Sequence, residues 1–89
     1  MRYAIEISPE AQREIKRLPA YVRAQAIELI DDLADNPRPP RAKELREKAN
    51  IYRIWLAGRW RIVYSIQDGV LLITVIRVRR KSEIDYDEI

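Results

Sequence analysis

Residues 51–81 read IYRIWLAGRWRIVYSIQDGVLLITVIRVRRK, and this stretch decides the fold. Its apolar side chains recur with a period of two, the pattern of a strand with one buried face. Strands are expected over 51–57, 60–67 and 70–78. Gly58 and Asp68-Gly69 mark the turns between them, the second being a strong hairpin signal. Connections this short make the three strands an antiparallel meander. Residues 70–76 are apolar on both faces, which places the last strand in the middle of a sheet.

Working outward, residues 3–7 form a further short strand with Tyr3, Ile5 and Ile7 on its apolar face. Ser8-Pro9-Glu10 then starts a helix. Ser8 suits the N-cap, Pro9 loses no needed N–H at the first helical position, and Glu10 suits the positive end of the dipole. Ala11, Ile15 and Leu18 follow at helical spacing until Pro19 ends the run. A second helix is expected from about 20 to 34, burying Val22, Ala26, Leu29 or Ile30, and Leu33. Asn36-Pro37-Arg38-Pro39-Pro40 stops it. Residues 41–50 are charged and without clear period, so they read as a loop with at most one helical turn. The expectation is one α+β domain over residues 1–89 in the order β-α-α-β-β-β. An antiparallel sheet would carry a two-helix hairpin on one face, and residues 82–89 would be an acidic tail.

Composition removes many chemistries. The 89 residues contain no cysteine and no histidine. That excludes a disulfide framework, a thiol nucleophile, imidazole acid–base catalysis and the zinc sites that depend on those ligands. No run approaches the ~20 apolar residues of a spanning helix, and Glu6 and Ser8 interrupt any signal-like run. A soluble, cytoplasmic domain without metal or cofactor is therefore expected, and no membrane partner. Any catalysis must use Arg, Lys, Tyr, Asp or Glu.

The net charge of +3 hides a strong asymmetry. Residues 1–37 carry −2, residues 38–81 carry +9, and residues 82–89 carry −4. A surface made from the middle segment attracts polyanions. The plainer alternative is a solvated basic face that binds nothing in particular. Thirteen arginines against four lysines tip the choice, because the planar guanidinium fork matches phosphate and base edges. The acidic tail has the charge to fold back over this face.

Alternation sorts the strand residues. Tyr52, Ile54 and Leu56 share a face with Trp60, Ile62, Tyr64 and Ile66, the face the helices should cover. Arg53, Trp55 and Arg61 then project from the other face, beside the basic run Arg77, Arg79, Arg80 and Lys81. Trp55 or Trp60 is placed to stack a base there, or else packs in the sheet. For Arg61 the alternative is a surface ion pair with Asp68 or Glu83.

ISPEAQREIKRLP at 7–19, LADNPRPPRAKEL at 33–45 and the 51–81 stretch together resemble the RelE/ParE superfamily of toxins from type II toxin–antitoxin pairs. The resemblance covers nearly the whole chain, and its fold is the one derived above. The hairpin, the NPRP loop and the YRI…WRIVY strands are more similar to the RelE-like branch. That resemblance implies a ribosome-dependent mRNA endoribonuclease (an mRNA interferase) that inhibits translation and is held in a hetero-oligomer with a cognate antitoxin. The ParE-like branch, which inhibits DNA gyrase, and a non-catalytic RNA-binding relative are the alternatives. Carried over by position, the resemblance implies Arg61, Arg80, Lys81 and Tyr86 as catalytic residues, Tyr86 falling one residue from the family's C-terminal tyrosine. The resemblance also implies Arg53 as an RNA contact; strand alternation adds Trp55, Arg77 and Arg79 on the sheet, and the charged loop offers Arg38, Arg41, Lys43 and Arg46 to ribosomal RNA. Trp55 stands where the family pattern carries lysine, and Arg79-Arg80-Lys81 where it carries Gly-His-Arg.

Overall fold

The Ser8 hydroxyl does what its position requires: its Oγ accepts the Ala11 N–H at 3.1 Å and donates to the Ile76 carbonyl at 3.0 Å. One side chain thus caps a helix and fixes that helix to the sheet. In the computed structural model, which describes residues 2–89, the elements are β1 (Ala4–Ile7), α1 (Pro9–Arg17), α2 (Ala20–Asp35), β2 (Lys43–Glu44), β3 (Ile51–Leu56), β4 (Trp60–Gln67) and β5 (Leu72–Arg80). Short 3-10 turns occupy Asp68–Val70, Lys81–Glu83 and Tyr86–Glu88. No helix among the described residues is long and apolar enough to cross a membrane.

The sheet order is β1-β5-β4-β3-β2. The meander and the two helices on one face agree with the sequence reading. Two features differ from it. β1 joins β5 in parallel, Ala4 beside Leu72 and Ile7 beside Val75, so the sheet is mixed rather than wholly antiparallel. Alternation tells which face a side chain takes but not the direction in which a strand pairs with one far along the chain. The segment read as a loop also contributes β2, which sets Lys43 opposite Arg53 and Glu44 opposite Tyr52. Two residues are too short to leave a period in the sequence.

The hydrophobic core lies between sheet and helices. α2 supplies Val22, Ala26, Leu29, Ile30 and Leu33, and α1 supplies Ala11, with Leu18 at its end. They pack on Ile54, Leu56, Trp60, Ile62, Tyr64, Ile66, Ile73, Val75 and Val78. Trp60 is thus a core residue, buried on the helix side, and the packing alternative holds for it.

The β4–β5 turn is longer than Asp-Gly alone would make it. A 3-10 turn runs Asp68–Val70, and Leu71 rather than Gly69 takes the left-handed conformation, at φ 51°. The Asp68 carboxylate is held here from outside the turn. It accepts from the two terminal nitrogens of the Arg38 guanidinium at 3.1 and 2.8 Å and from the Tyr3 hydroxyl at 2.6 Å.

A bulge between Val63 and Tyr64 shifts the pairing with β5: Val63 faces Arg77, but Tyr64 faces Val75. This extra residue re-phases the strand, as bulges do. Val78 stays in the core, while Arg79 lies across from Arg61 and Arg77 across from Val63. β1 ends opposite Val75, so the apolar half of β5 has neighbours on both sides and its basic half has one free edge.

Candidate nucleic-acid interface

The cross-strand pairs Arg53–Val63 and Trp55–Arg61 put four residues on the face away from the helices. Arg61 is 6% exposed, the one charged side chain among the buried residues described. Its Cζ lies 4.2 Å from the centre of the Trp55 ring, and its Nη1 donates to the Tyr86 hydroxyl at 2.8 Å. Neither Asp68 nor Glu83 pairs with it: Asp68 is taken by Arg38, and among the described residues no carboxylate lies within salt-bridge distance of Arg61. The Arg61 Nε is buried and has no hydrogen-bond partner. A buried cation with no counter-ion and a free donor is costly to maintain. An incoming anion would relieve that cost.

The tail folds back over this face. Besides Tyr86 on Arg61, the Ile89 oxygen accepts from Lys48 Nζ at 2.8 Å. Beneath it is a cavity of about 320 Å³ lined by Leu45, Arg46, Glu47, Lys48, Arg53, Arg61, Tyr86 and Asp87. Four of these eight are cations and two are acids, so the cavity is basic with an acidic rim. Lys43 joins it at one side, paired across from Arg53. Lys81 reaches the same face at the sheet's end, with its Nζ 5.5 Å from the Trp55 ring centre.

The structure therefore brings together Arg61, Tyr86, Lys81, Trp55, Arg53, Lys43 and Arg46. Other expected residues stand apart. Arg80 lies over Trp60, 5.5 Å from its ring centre, and meets Trp55 and Lys81 only at the notch it lines with them at the sheet's end. The Arg79 Nε forms a salt bridge with one carboxylate oxygen of Glu14 of α1 at 3.0 Å, around the free edge of β5, and the other Glu14 oxygen accepts the Val78 N–H at 3.0 Å. Arg77 is near Glu10, whose carboxyl is lowered first by its own backbone N–H and further by Arg77 and Arg13. Arg38 is bidentate to Asp68 and donates its Nε–H to Tyr52 at 3.0 Å. That guanidinium is committed within the fold, at the far end of the sheet. Arg41 is exposed on the loop.

Two cations escaped the sequence reading, Lys48 beside the tail and Arg59 in the β3–β4 turn. Lys48 sits in an aperiodic charged run and Arg59 in a turn, so neither carried a face assignment.

Comparison with known proteins gives one consistent result. A family model described as the ParE toxin of the type II toxin–antitoxin system parDE matches residues 5–85. A RelE-like toxin protein of Escherichia coli is 33% identical over 86 residues, which is 96% of this chain and 90% of that protein. Toxin RelE of Mycobacterium tuberculosis is 31% identical over 81 residues, 90% of this chain and 82% of that one. Among solved structures, a chain of the toxin–antitoxin complex RelBE2 from Mycobacterium tuberculosis superposes with a TM-score of 0.78 at 25% identity, covering 91% of this chain and all of that chain.

Proposed function

Because the chain belongs to the ParE toxin family of type II toxin–antitoxin systems, we propose that it acts as the RelE-like toxin of such a pair, cutting mRNA on the ribosome. The observation that carries this reading is Arg61, a buried guanidinium without a carboxylate and with an unused N–H. An RNA phosphate supplies the missing charge and acceptor, whereas a surface that only docks on gyrase has no use for a buried cation. The RelE names of relatives spanning nearly the whole chain support the same choice.

The chemistry needs only side chains of this chain. The 2′-hydroxyl of one nucleotide loses its proton and attacks the adjacent phosphorus. The P–O5′ bond breaks, leaving a cyclic phosphate and a 5′-oxygen that takes up a proton. Arg61 and Lys81 stabilise the added negative charge on the phosphorane oxygens, with Arg80 contributing from the strand end. Tyr86, held 2.8 Å from Arg61, moves the proton. Arg53, Lys43 and Arg46 track the flanking phosphates, Trp55 contacts a base, and Arg41 reaches ribosomal RNA from the loop. Arg38 and Arg79 add to the local potential from their ion-paired positions, and Arg77 adds to it from beside Glu10.

The partner in the resting state is a cognate antitoxin, as the similar Mycobacterium tuberculosis chain belongs to a crystal structure of a toxin–antitoxin complex. The site of action is the translating ribosome, hence the cytoplasm. Primer extension on a reporter mRNA in translating extract tests the reading. Cuts within codons are expected with ribosomes present, none without them, and none from Arg61→Ala. Intact mRNA together with blocked gyrase supercoiling, or full cutting by a soluble Arg61→Ala protein, would overturn it.

A further inference from the structure

At the end of the sheet the β3–β4 turn leaves a notch of about 440 Å³ between Trp55, Gly58, Arg59, Arg80, Lys81 and Ser82. Three of these six residues are cations, none is acidic, and one wall is an indole. Gly58 has φ +78°, and a Cβ built on it meets nothing within 4 Å, so the turn leaves open space there. Trp55 is 38% exposed, a large apolar surface left uncovered on an otherwise charged face. Cations around a partly exposed aromatic ring are the recognition chemistry of an unpaired nucleotide.

We propose that this notch is a nucleobase subsite, in which a single unstacked purine of the bound RNA lies on Trp55. The proposal rests on the nuclease reading for the presence of RNA, and it adds the place where a base is held. In the free protein Lys81 Nζ stands over the ring at 5.5 Å. An exposed lysine–aromatic contact is worth about 2- to 5-fold in an equilibrium. Stacking of a base on an aromatic side chain is worth about 5- to 150-fold in affinity. The base therefore displaces the ammonium, which turns to a phosphate, and Arg59 and Arg80 flank the same strand. Continuity with the phosphate site is direct, because the same indole carries Arg61 at 4.2 Å. A purine covers more of the ring than a pyrimidine, so the subsite favours purines.

The test uses the full chain and short RNAs whose 2′-hydroxyls are methylated, so that no cleavage occurs. Trinucleotides with a purine, a pyrimidine or an abasic centre are titrated against the protein, reading affinity and tryptophan emission. Purine is expected to bind tightest and abasic weakest, with about 5- to 150-fold between them. In Trp55→Leu that ratio collapses to about twofold or less while binding through phosphates persists. Trp55→Phe keeps much of the ratio but loses the quenching, which assigns the signal to Trp55 rather than to the buried Trp60. Equal affinity for purine and abasic RNA, an undiminished ratio in Trp55→Leu, or no binding of the purine RNA at all would overturn the subsite. A preserved ratio with no cutting on ribosomes would leave the subsite standing and remove the nuclease reading alone.

Discussion

Replacing Arg61 by methionine should make the protein more stable while removing its activity. The guanidinium is 6% exposed and has three dealings in the fold: a hydrogen bond to Tyr86, a stack on Trp55, and a buried Nε with no partner. Taking an ion out of water costs several kcal/mol. A hydrogen bond from a charged group returns about 1.5–3 kcal/mol, and a cation–π contact on the partly exposed Trp55 ring about 0.5–2 kcal/mol. No carboxylate completes the account, although Glu47 and Asp87 on the cavity rim soften the cost. Methionine fills similar volume with no charge to desolvate, and exchanges of this kind gain about 1–4 kcal/mol where a whole buried pair is replaced. A single ion half-compensated by a phenol and an indole should gain about 1 kcal/mol, which raises Tm by about 4–8 °C in a domain of this size. Circular dichroism melts of wild type, Arg61→Met and Arg61→Lys at one salt concentration decide the matter. The lysine variant keeps the buried charge and loses the planar fork, so it should melt at or below wild type. An Arg61→Met protein that melts below wild type would refute the reasoning, because Arg61 would then be a structural residue.

Asp68 gives a pH prediction. Arg38 first, and the Tyr3 hydroxyl second, hold its carboxyl down to about 2. A depressed carboxyl stabilises the fold above the ordinary carboxylate range and loses that contribution as pH falls through about 2. Urea midpoints measured downward from pH 5 should therefore fall more steeply for wild type than for Asp68→Asn, and parallel curves would show that the Arg38–Asp68–Tyr3 contact does not contribute. Tyr64 is buried and donates to the Pro37 carbonyl at 2.7 Å, and burial pushes its phenol well above the usual range, keeping the proton in place. Tyr64→Phe should cost about 1–3 kcal/mol by urea denaturation, since it leaves that carbonyl without its donor; an unchanged midpoint would mean that water takes over the bond.

Much of this was legible along the chain because it is local. Ser8-Pro9 marked the helix start, the Val22–Leu33 stripe marked the buried side of α2, and alternation in 51–67 put Ile54, Ile62 and Tyr64 under the helices and Arg53, Trp55 and Arg61 opposite them. What escaped depends on partners distant in sequence. The parallel pairing of β1 is set by where β5 finally lies. The bulge at Val63/Tyr64 re-phases Arg77 and Arg79 without changing composition. Arg38 looked like one more loop cation, and only the fold brings Asp68 to it. Arg61 is the informative case: a charged residue on an expected solvent face that turns out buried, because the tail returns to cover it.

The pairing of Ala4–Ile7 with Leu72–Val75 also sets the order in which the molecule can assemble. Contacts between neighbouring strands of the meander close short loops and form early, whereas contacts between the two ends of a chain must wait for a large loop to close. During synthesis the N-terminal strand emerges first and carries Tyr3, Ile5 and Ile7 with nothing to pair against. Its neighbour in the sheet, β5, is made after both helices and the rest of the meander, and Tyr86, which completes the cover over Arg61, after that. Strand β1 therefore stays unpaired in the sheet until residues 72–75 have left the ribosome.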